Sequence, residues 1–173
     1  MCTAEKYENY EIQGLLGKGL NLQKNGVHVA FTGGTGVLVF IDLVALLLRK
    51  NLGLIKNDHN IPIFKPGATF KFVLYVSFPN REDSVALELI EGLSEITKAL
   101  KLKNFHLELR ISNEGKSQRW DKNFIVRHID IWKKQGLKMV YVCGPPVMNT
   151  VFDQTLESLV EKKVLRRSQI EIM

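Results

Sequence analysis

Cysteine is scarce in this chain of 173 residues: there are two, Cys2 and Cys143, far apart and outside any Cys-x-x-Cys spacing. That pattern gives no disulfide framework and points to a reducing compartment. Histidine is also sparse, and His28, His59, His106 and His128 show no metal-ligand spacing. Each reads as a strand or surface residue, and no metal is expected. No apolar run is long enough to span a bilayer. The longest, Val37–Leu48, contains Asp42 and reads as a buried helix, so direct membrane insertion is not expected. The amino terminus lacks a basic stretch followed by an apolar core, so no signal peptide is indicated. A cytoplasmic location follows, either for the chain alone or as the cytosolic part of a membrane-tethered parent protein. The net charge is +6 and the sequence pI ≈ 9.3. The basic residues are nevertheless spread along the chain, with no Lys/Arg block interleaved with aromatics. Nucleic acid is not an expected partner, whereas an anionic ligand or an acidic partner suits the charge.

What the chain has in abundance is alternation between short apolar runs and longer amphipathic ones. Val27–Thr32 is β-branched and aromatic and breaks into Gly33-Gly34-Thr35-Gly36, after which an apolar helix is expected over Val37–Lys50. A strand that ends in glycines and resumes as a helix presents backbone N–H groups without intrahelical partners, at the positive end of a helix dipole. That suits a phosphate, but a tight strand-to-helix turn in a buried α/β unit explains the same residues.

Leu54–Thr69 reads as a long surface loop and a candidate insertion or contact surface. Phe70–Phe78 has the pattern of a central strand. Asp83-Ser84 is positioned to cap a helix over Val85–Leu100, with Leu87, Ile90, Leu93, Ile96 and Leu100 as its apolar face. Phe105–Ile111 alternates apolar with polar residues, as a strand with one less buried face would. A polar loop around Trp120 precedes a helix over Asn123–Gln135. Met139–Val142 is a fourth strand leading into Cys143-Gly144-Pro145-Pro146, Val147–Lys162 a helix, and Gln169–Met173 a last strand.

The β-α-β-α-β-α-β-α-β order predicts an α/β domain, a three-layer αβα arrangement on a five-stranded parallel sheet of Rossmann-like type. Ligands bind such sheets beyond the carboxyl ends of the strands. Both glycine-bearing turns, Gly33–Gly36 and Gly144–Pro146, follow strand carboxyl ends and so fall on the same edge. The ordinary dinucleotide fingerprint is incomplete, because Val39 stands where its third glycine would be and Phe78, not a carboxylate, closes the second strand.

These motifs resemble those of the NAD(P)-binding, carboxyl-terminal domain of the ferredoxin–NADP reductase-like flavoprotein oxidoreductases. Val29-Ala30-Phe31-Thr32-Gly33-Gly34-Thr35-Gly36-Val37 is similar to the family's A-G-G-T-G-I pyrophosphate turn. Val140-Tyr141-Val142-Cys143-Gly144-Pro145-Pro146-Val147-Met148 is similar to its Y-x-C-G-P-P-x-M segment. Gly14–Leu20 resembles the segment that closes its flavin domain, and Leu74-Tyr75 with Arg81-Glu82-Asp83 resembles, more weakly, its second-strand region. The resemblance implies a connector over residues 1–24 and an NAD(P)-binding domain over 25–173. It implies that Gly33, Gly34, Thr35 and Gly36 hold the pyrophosphate. Cys143, Gly144, Pro145 and Pro146, with Met148, would lie against the nicotinamide and its ribose, and Cys143 is the catalytic candidate. Ser112 falls where the family binds the adenosine 2′-phosphate.

The implied cofactors are NAD(P)H and an FAD held on another domain or partner chain, with a downstream electron acceptor. Several residues depart from the family pattern: Asn113 stands in place of an arginine, Val39 of a proline and Thr32 of an alanine, and Ile170–Met173 lacks an aromatic residue. Lys116 or Arg119 is an alternative source of charge near Ser112. The departures leave open a non-catalytic interaction or assembly domain that keeps the reductase fold.

Overall fold

Nine regular elements alternate along the chain in the computed structural model, which describes residues 19–55, 61–114 and 120–173. Strands β1 (Gly26–Gly33), β2 (Phe70–Phe78), β3 (Phe105–Ile111), β4 (Leu137–Cys143) and β5 (Ile170–Ile172) form one sheet in the order β3-β2-β1-β4-β5. Every neighbouring pair is parallel. Helices α1 (Leu38–Asn51), α2 (Leu87–Ala99), α3 (Lys122–Lys133) and α4 (Pro146–Glu161) fill the crossovers.

The strands read as near-continuous apolar runs because both faces of the sheet are covered. Ala30 of β1 faces a core that includes Phe40, Val44 and Leu47 of α1 and Ile90 of α2. Its neighbours Val29 and Phe31 face the opposite core with Ile125 and Ile129 of α3 and Phe152 and Leu156 of α4. This period-two alternation makes the three layers. Among the described residues no helix is long and apolar enough to cross a membrane.

Three expectations need correction. The opening of α1 is not buried on all sides: a 3₁₀ turn over Gly34–Val37 precedes it, and Leu38 and Val39 are 49% and 45% exposed. Helix α2 begins at Leu87, its preceding residue Ala86 is in the left-handed region (φ 56), and no side chain caps it. Asp83 and Ser84 instead fold onto Asn80, whose Oδ1 accepts from the Asp83 N–H at 2.7 Å and whose carbonyl accepts from the Ser84 hydroxyl. Ile96 and Leu100 of its expected apolar face are exposed. The segment before β2 has structure of its own, a 3₁₀ turn over Pro62–Phe64 that buries Ile63 and Phe64 in the α1/α2 core.

The chain enters β1 through residues 19–25, where Leu20 and Leu22 pack on the α1/α2 core. The Tyr141 hydroxyl of β4 donates to the Leu20 carbonyl. It has no second proton, so the 3.1 Å contact between its oxygen and His28 Nδ1 requires that Nδ1 carry the hydrogen. His28 is wholly buried, and its Nε2 has no partner. Burial, with Lys138 nearby, lowers the His28 pKa to about 4. The Tyr141 hydroxyl is pushed up by burial. The expected connector residues Gly14 to Lys18 lie outside the described residues.

Candidate nucleotide site at the carboxyl edge

From β1 the chain builds β2 and β3 to one side and β4 and β5 to the other, so the strand order reverses between β1 and β4. A crevice at such a reversal is where open α/β sheets bind ligands. Thr32 pairs with Cys143 at the end of the β1/β4 ladder. The turns that follow, Gly33–Gly36 and Cys143–Pro146, therefore lie side by side.

They are in direct contact. A Cβ built on Gly36 would lie 2.1 Å from the Cys143 carbonyl oxygen and 2.6 Å from its carbonyl carbon. One on Gly144 would lie 2.7 Å from Met148 Sδ and 3.2 Å from the Gly33 nitrogen, and one on Gly33 2.8 Å from the same sulfur. The Met148 thioether, on the first turn of α4, thus fills the seam between the turns. Gly36 and Gly144 permit this close approach to the opposite backbone, and Gly33 leaves room for the Met148 and Pro145 side chains. Gly34 differs: its φ is +55 and nothing lies within 4 Å of its Cβ position. Thr35 beside it is exposed. Within the first turn, the seam occupies Gly33 and Gly36, while Gly34 and Thr35 face open space.

Cys143 is half-buried, its sulfur close to Gly36, and burial pushes its thiol above the ordinary range. The group is a protonated thiol at neutral pH, suited to contact and not to nucleophilic attack. Pro145 and Pro146 are exposed, as are Val147 at 73% and Leu38 and Val39, so the paired turns carry an apolar rim.

Ser112 lies on the same edge but farther out, just past the end of β3. Its N–H donates to the Phe78 carbonyl at 2.8 Å, and its hydroxyl lies 3.4 Å from that of Ser77. Ser77 in turn pairs with Gly33 across β1/β2. Ser77 was not among the candidates from sequence; the signal for it was a serine next to the last residue of a mostly apolar strand. Asn113 donates its N–H to the Pro79 carbonyl at 3.0 Å. Lys116 and Arg119 lie outside the described residues. Arg81 bridges Glu91 of α2 at 2.7 Å and Glu114 at 2.6 Å, tying the loop after β2 to the loop after β3.

Two residues noted from sequence have structural roles. Thr32 is buried and donates its hydroxyl to the Tyr75 carbonyl at 3.0 Å, so it belongs to the sheet. Trp120 packs its ring against Phe31, Tyr75, Phe124 and Phe152 and covers the α3/α4 core. No group of three or more His, Cys, Asp or Glu among the described residues is arranged to hold a metal ion.

No family model matches the sequence, and no curated protein does either. Solved structures do match. The CS-b5R domains of human Ncb5or, in the NAD+ form, align with a TM-score of 0.57 at 16% identity, over 86% of this chain and 37% of that one. The flavohemoglobin of Malassezia yamatoensis, with bound FAD and heme, aligns with a TM-score of 0.56 at 14% identity, over 89% and 33%. The cytochrome b5 reductase domain of Ulva prolifera nitrate reductase gives a TM-score of 0.49 at 12% identity, over 87% and 49%. The chain spans between about a third and a half of the length of these structures. What the Ncb5or and flavohemoglobin structures share with this chain at such low identity is fold, which here is a parallel α/β sheet covered by helices on both faces.

Proposed function

We propose that this chain is the NAD(P)H-binding domain of a flavin-dependent oxidoreductase, presenting the nicotinamide to an FAD held by a separate domain or chain in the cytoplasm. The observation that carries the reading is the joined pair of turns at the strand-order reversal, with Gly34 and Thr35 left facing open space. A pyrophosphate fits there: the N–H groups at the start of the 3₁₀ turn have no intrahelical acceptors, the Thr35 hydroxyl is exposed, and no side chain blocks approach over Gly34. A nicotinamide fits beside the second turn, over Cys143, Gly144 and the exposed proline pair. Met148 holds the two turns at fixed separation, and Ser112 and Ser77 offer hydroxyls toward the adenosine end.

The reduced nicotinamide supplies a hydride, and the protein supplies orientation. Cys143 packs against the ring as a neutral thiol. The apolar rim of Leu38, Val39, Pro145 and Val147 excludes water where a flavin-bearing partner docks. The human Ncb5or structure is of an NAD+ form and the flavohemoglobin holds FAD and heme; by analogy an acceptor downstream of the flavin completes the system.

Titration calorimetry of the chain with NADH and with NADPH tests the reading. Binding of at least one is expected, and Gly34→Asp should abolish it by setting a carboxylate against the pyrophosphate. No binding of either at millimolar concentration would reject the reading in favour of a non-catalytic assembly domain. Unchanged affinity in Gly34→Asp would reject the phosphate assignment of the turn.

A further inference from the structure

We infer that the amino edge of the sheet, opposite the nucleotide site, is a docking surface for an anionic lipid bilayer. This is independent of the nucleotide reading. In a parallel sheet every helix ends at the amino edge, and there the lysines and arginines that are scattered in sequence come together. Lys24, Lys65, Lys101, Lys103, Lys163 and Arg166 all lie in the loops of that edge. The corner made by α1 and α2 is the sharpest case. Asn51, the last residue of α1, donates its side-chain N–H to Asn104 Oδ1 at 3.0 Å and so joins the end of α1 to the loop that follows α2. Residues 49–54 and 98–104 of this corner include Arg49, Lys98, Lys101 and Lys103 and not one Asp or Glu.

Three leucines project from the same corner: Leu52 is 50% exposed, Leu54 67% and Leu100 44%. Cations at helix carboxyl ends are expected from the helix dipole, which accounts for Arg49 and Lys98. It does not account for Lys101 and Lys103, which lie beyond the helix, or for the leucines.

The backbone gives a second observation. Lys101 and Lys163, which follow the ends of α2 and α4, sit at φ 48 and 57, in the left-handed region that glycine occupies more favourably. Gly53 and Gly136 take the corresponding conformation after α1 and α3. At two of four helix ends the chain thus places a lysine where a glycine would be more stable. Among the described residues no carboxylate pairs with Lys101, Lys103 or Arg49. Interleaved cations and exposed leucines match an anionic interface, where the cations meet headgroups and the leucines enter the acyl boundary. A soluble polyanion such as polyglutamate or nucleic acid would use the cations and leave the leucines in water.

Cosedimentation of the chain with vesicles tests this, using phosphatidylcholine alone and phosphatidylcholine with about 30 mol% phosphatidylserine. Binding is expected only to the anionic vesicles and should fall as salt is raised. The double variant Lys101→Gln/Lys103→Gln should weaken it about 25-fold, at roughly fivefold per lysine. Leu54→Ser/Leu100→Ser should weaken it several-fold with the melting temperature unchanged. Lys101→Gly should raise the melting temperature while weakening vesicle binding, which separates the lysine's two effects. No binding to the anionic vesicles overturns the inference. So does binding insensitive to the leucine variant, or equal affinity for soluble polyglutamate or duplex DNA, either of which would make the edge a site for a soluble acidic macromolecule.

Discussion

Alanine at Gly36 and at Gly34 should separate architecture from binding within one turn of four residues. At Gly36 the new methyl would fall 2.1 Å from the Cys143 carbonyl oxygen and 2.6 Å from the carbonyl carbon. Both are backbone atoms at the end of the β1/β4 ladder, so neither can rotate away. The methyl is accommodated only by pulling the two turns apart. Overpacking of this kind costs about 1–3 kcal/mol, and with backbone on the far side the upper end applies. For a domain of this size ~3 kcal/mol lowers the melting temperature by roughly 6–12 °C. At Gly34 no atom lies within 4 Å of the new methyl, and the only penalty is that of the left-handed backbone at φ +55, about 1–2 kcal/mol. Urea denaturation measures the stability term and calorimetry with the bound dinucleotide measures the other. Gly36→Ala should lose more stability than Gly34→Ala. Gly34→Ala, by placing a methyl where the pyrophosphate approaches, should lose more affinity than its small stability change explains. If Gly36→Ala is as stable as the parent, the seam between the turns is wrong. If Gly34→Ala binds as well as the parent, the turn is architecture throughout.

Tyr75→Phe should destabilise the chain by about 1–3 kcal/mol in urea, because the Trp132 indole N–H donates to the Tyr75 hydroxyl at 2.9 Å inside the α3/α4 core and would be left without an acceptor. The same hydroxyl has its pKa raised to about 12 by burial, so the bond persists across the neutral range. His28 gives an acid-side prediction. Its pKa in the fold is about 4, against 6.5 for an unperturbed histidine. Below about pH 6.5 the unfolded chain takes up a proton that the folded chain refuses. Stability should fall, by an amount on the order of 3 kcal/mol, until the folded imidazole also protonates near pH 4. His28→Gln should flatten that part of the urea-stability profile against pH, and an unchanged slope would exclude His28 as its source.

The strand-and-helix order and the two glycine turns were legible because the sheet is parallel and buried on both faces. Each strand is a short apolar run, and each helix is delimited by local breakers. Contact between the turns was not legible in the same way. That Gly36 meets Cys143 while Gly34 meets nothing depends on a register between residues more than a hundred positions apart. Leu38 and Val39 read as core because apolar periodicity does not report that a 3₁₀ turn will lift a helix's first residues to the edge. Asp83-Ser84 looks like a helix cap, yet Asn80 takes both groups for its own turn, a competition between two local motifs of similar strength. Thr32 read as a departure from a binding motif, whereas its hydroxyl satisfies the Tyr75 carbonyl within the sheet.

Charge shows most clearly what the fold adds to the sequence. Read linearly, the lysines and arginines have no pattern, and the net charge of +6 gives only a general attraction to anions. In a parallel sheet, however, helix-to-strand loops and strand-to-helix turns alternate along the chain and separate in space, one kind to each edge. Among the described residues, those basic side chains that lie in connections between strands and helices fall mainly in the helix-to-strand loops, so topology gathers part of a scattered excess on one edge. The sequence between β2 and α2 and between β3 and α3 holds Glu82, Asp83, Glu114 and Asp121 against Arg81, Lys116 and Arg119, a near balance of charge. On the proposed function, attraction of a nucleotide's phosphates would rest on backbone N–H groups at the first turn more than on the net charge. With strands of seven to nine residues in β1 to β4, the edges are about 23–30 Å apart at ~3.3 Å per residue. That is well beyond the Debye length of ~8 Å at physiological salt. The two edges are thus electrostatically independent. A bilayer held at the basic edge would leave the Gly34–Thr35 opening turned toward water, free for a nucleotide and a flavin-bearing partner.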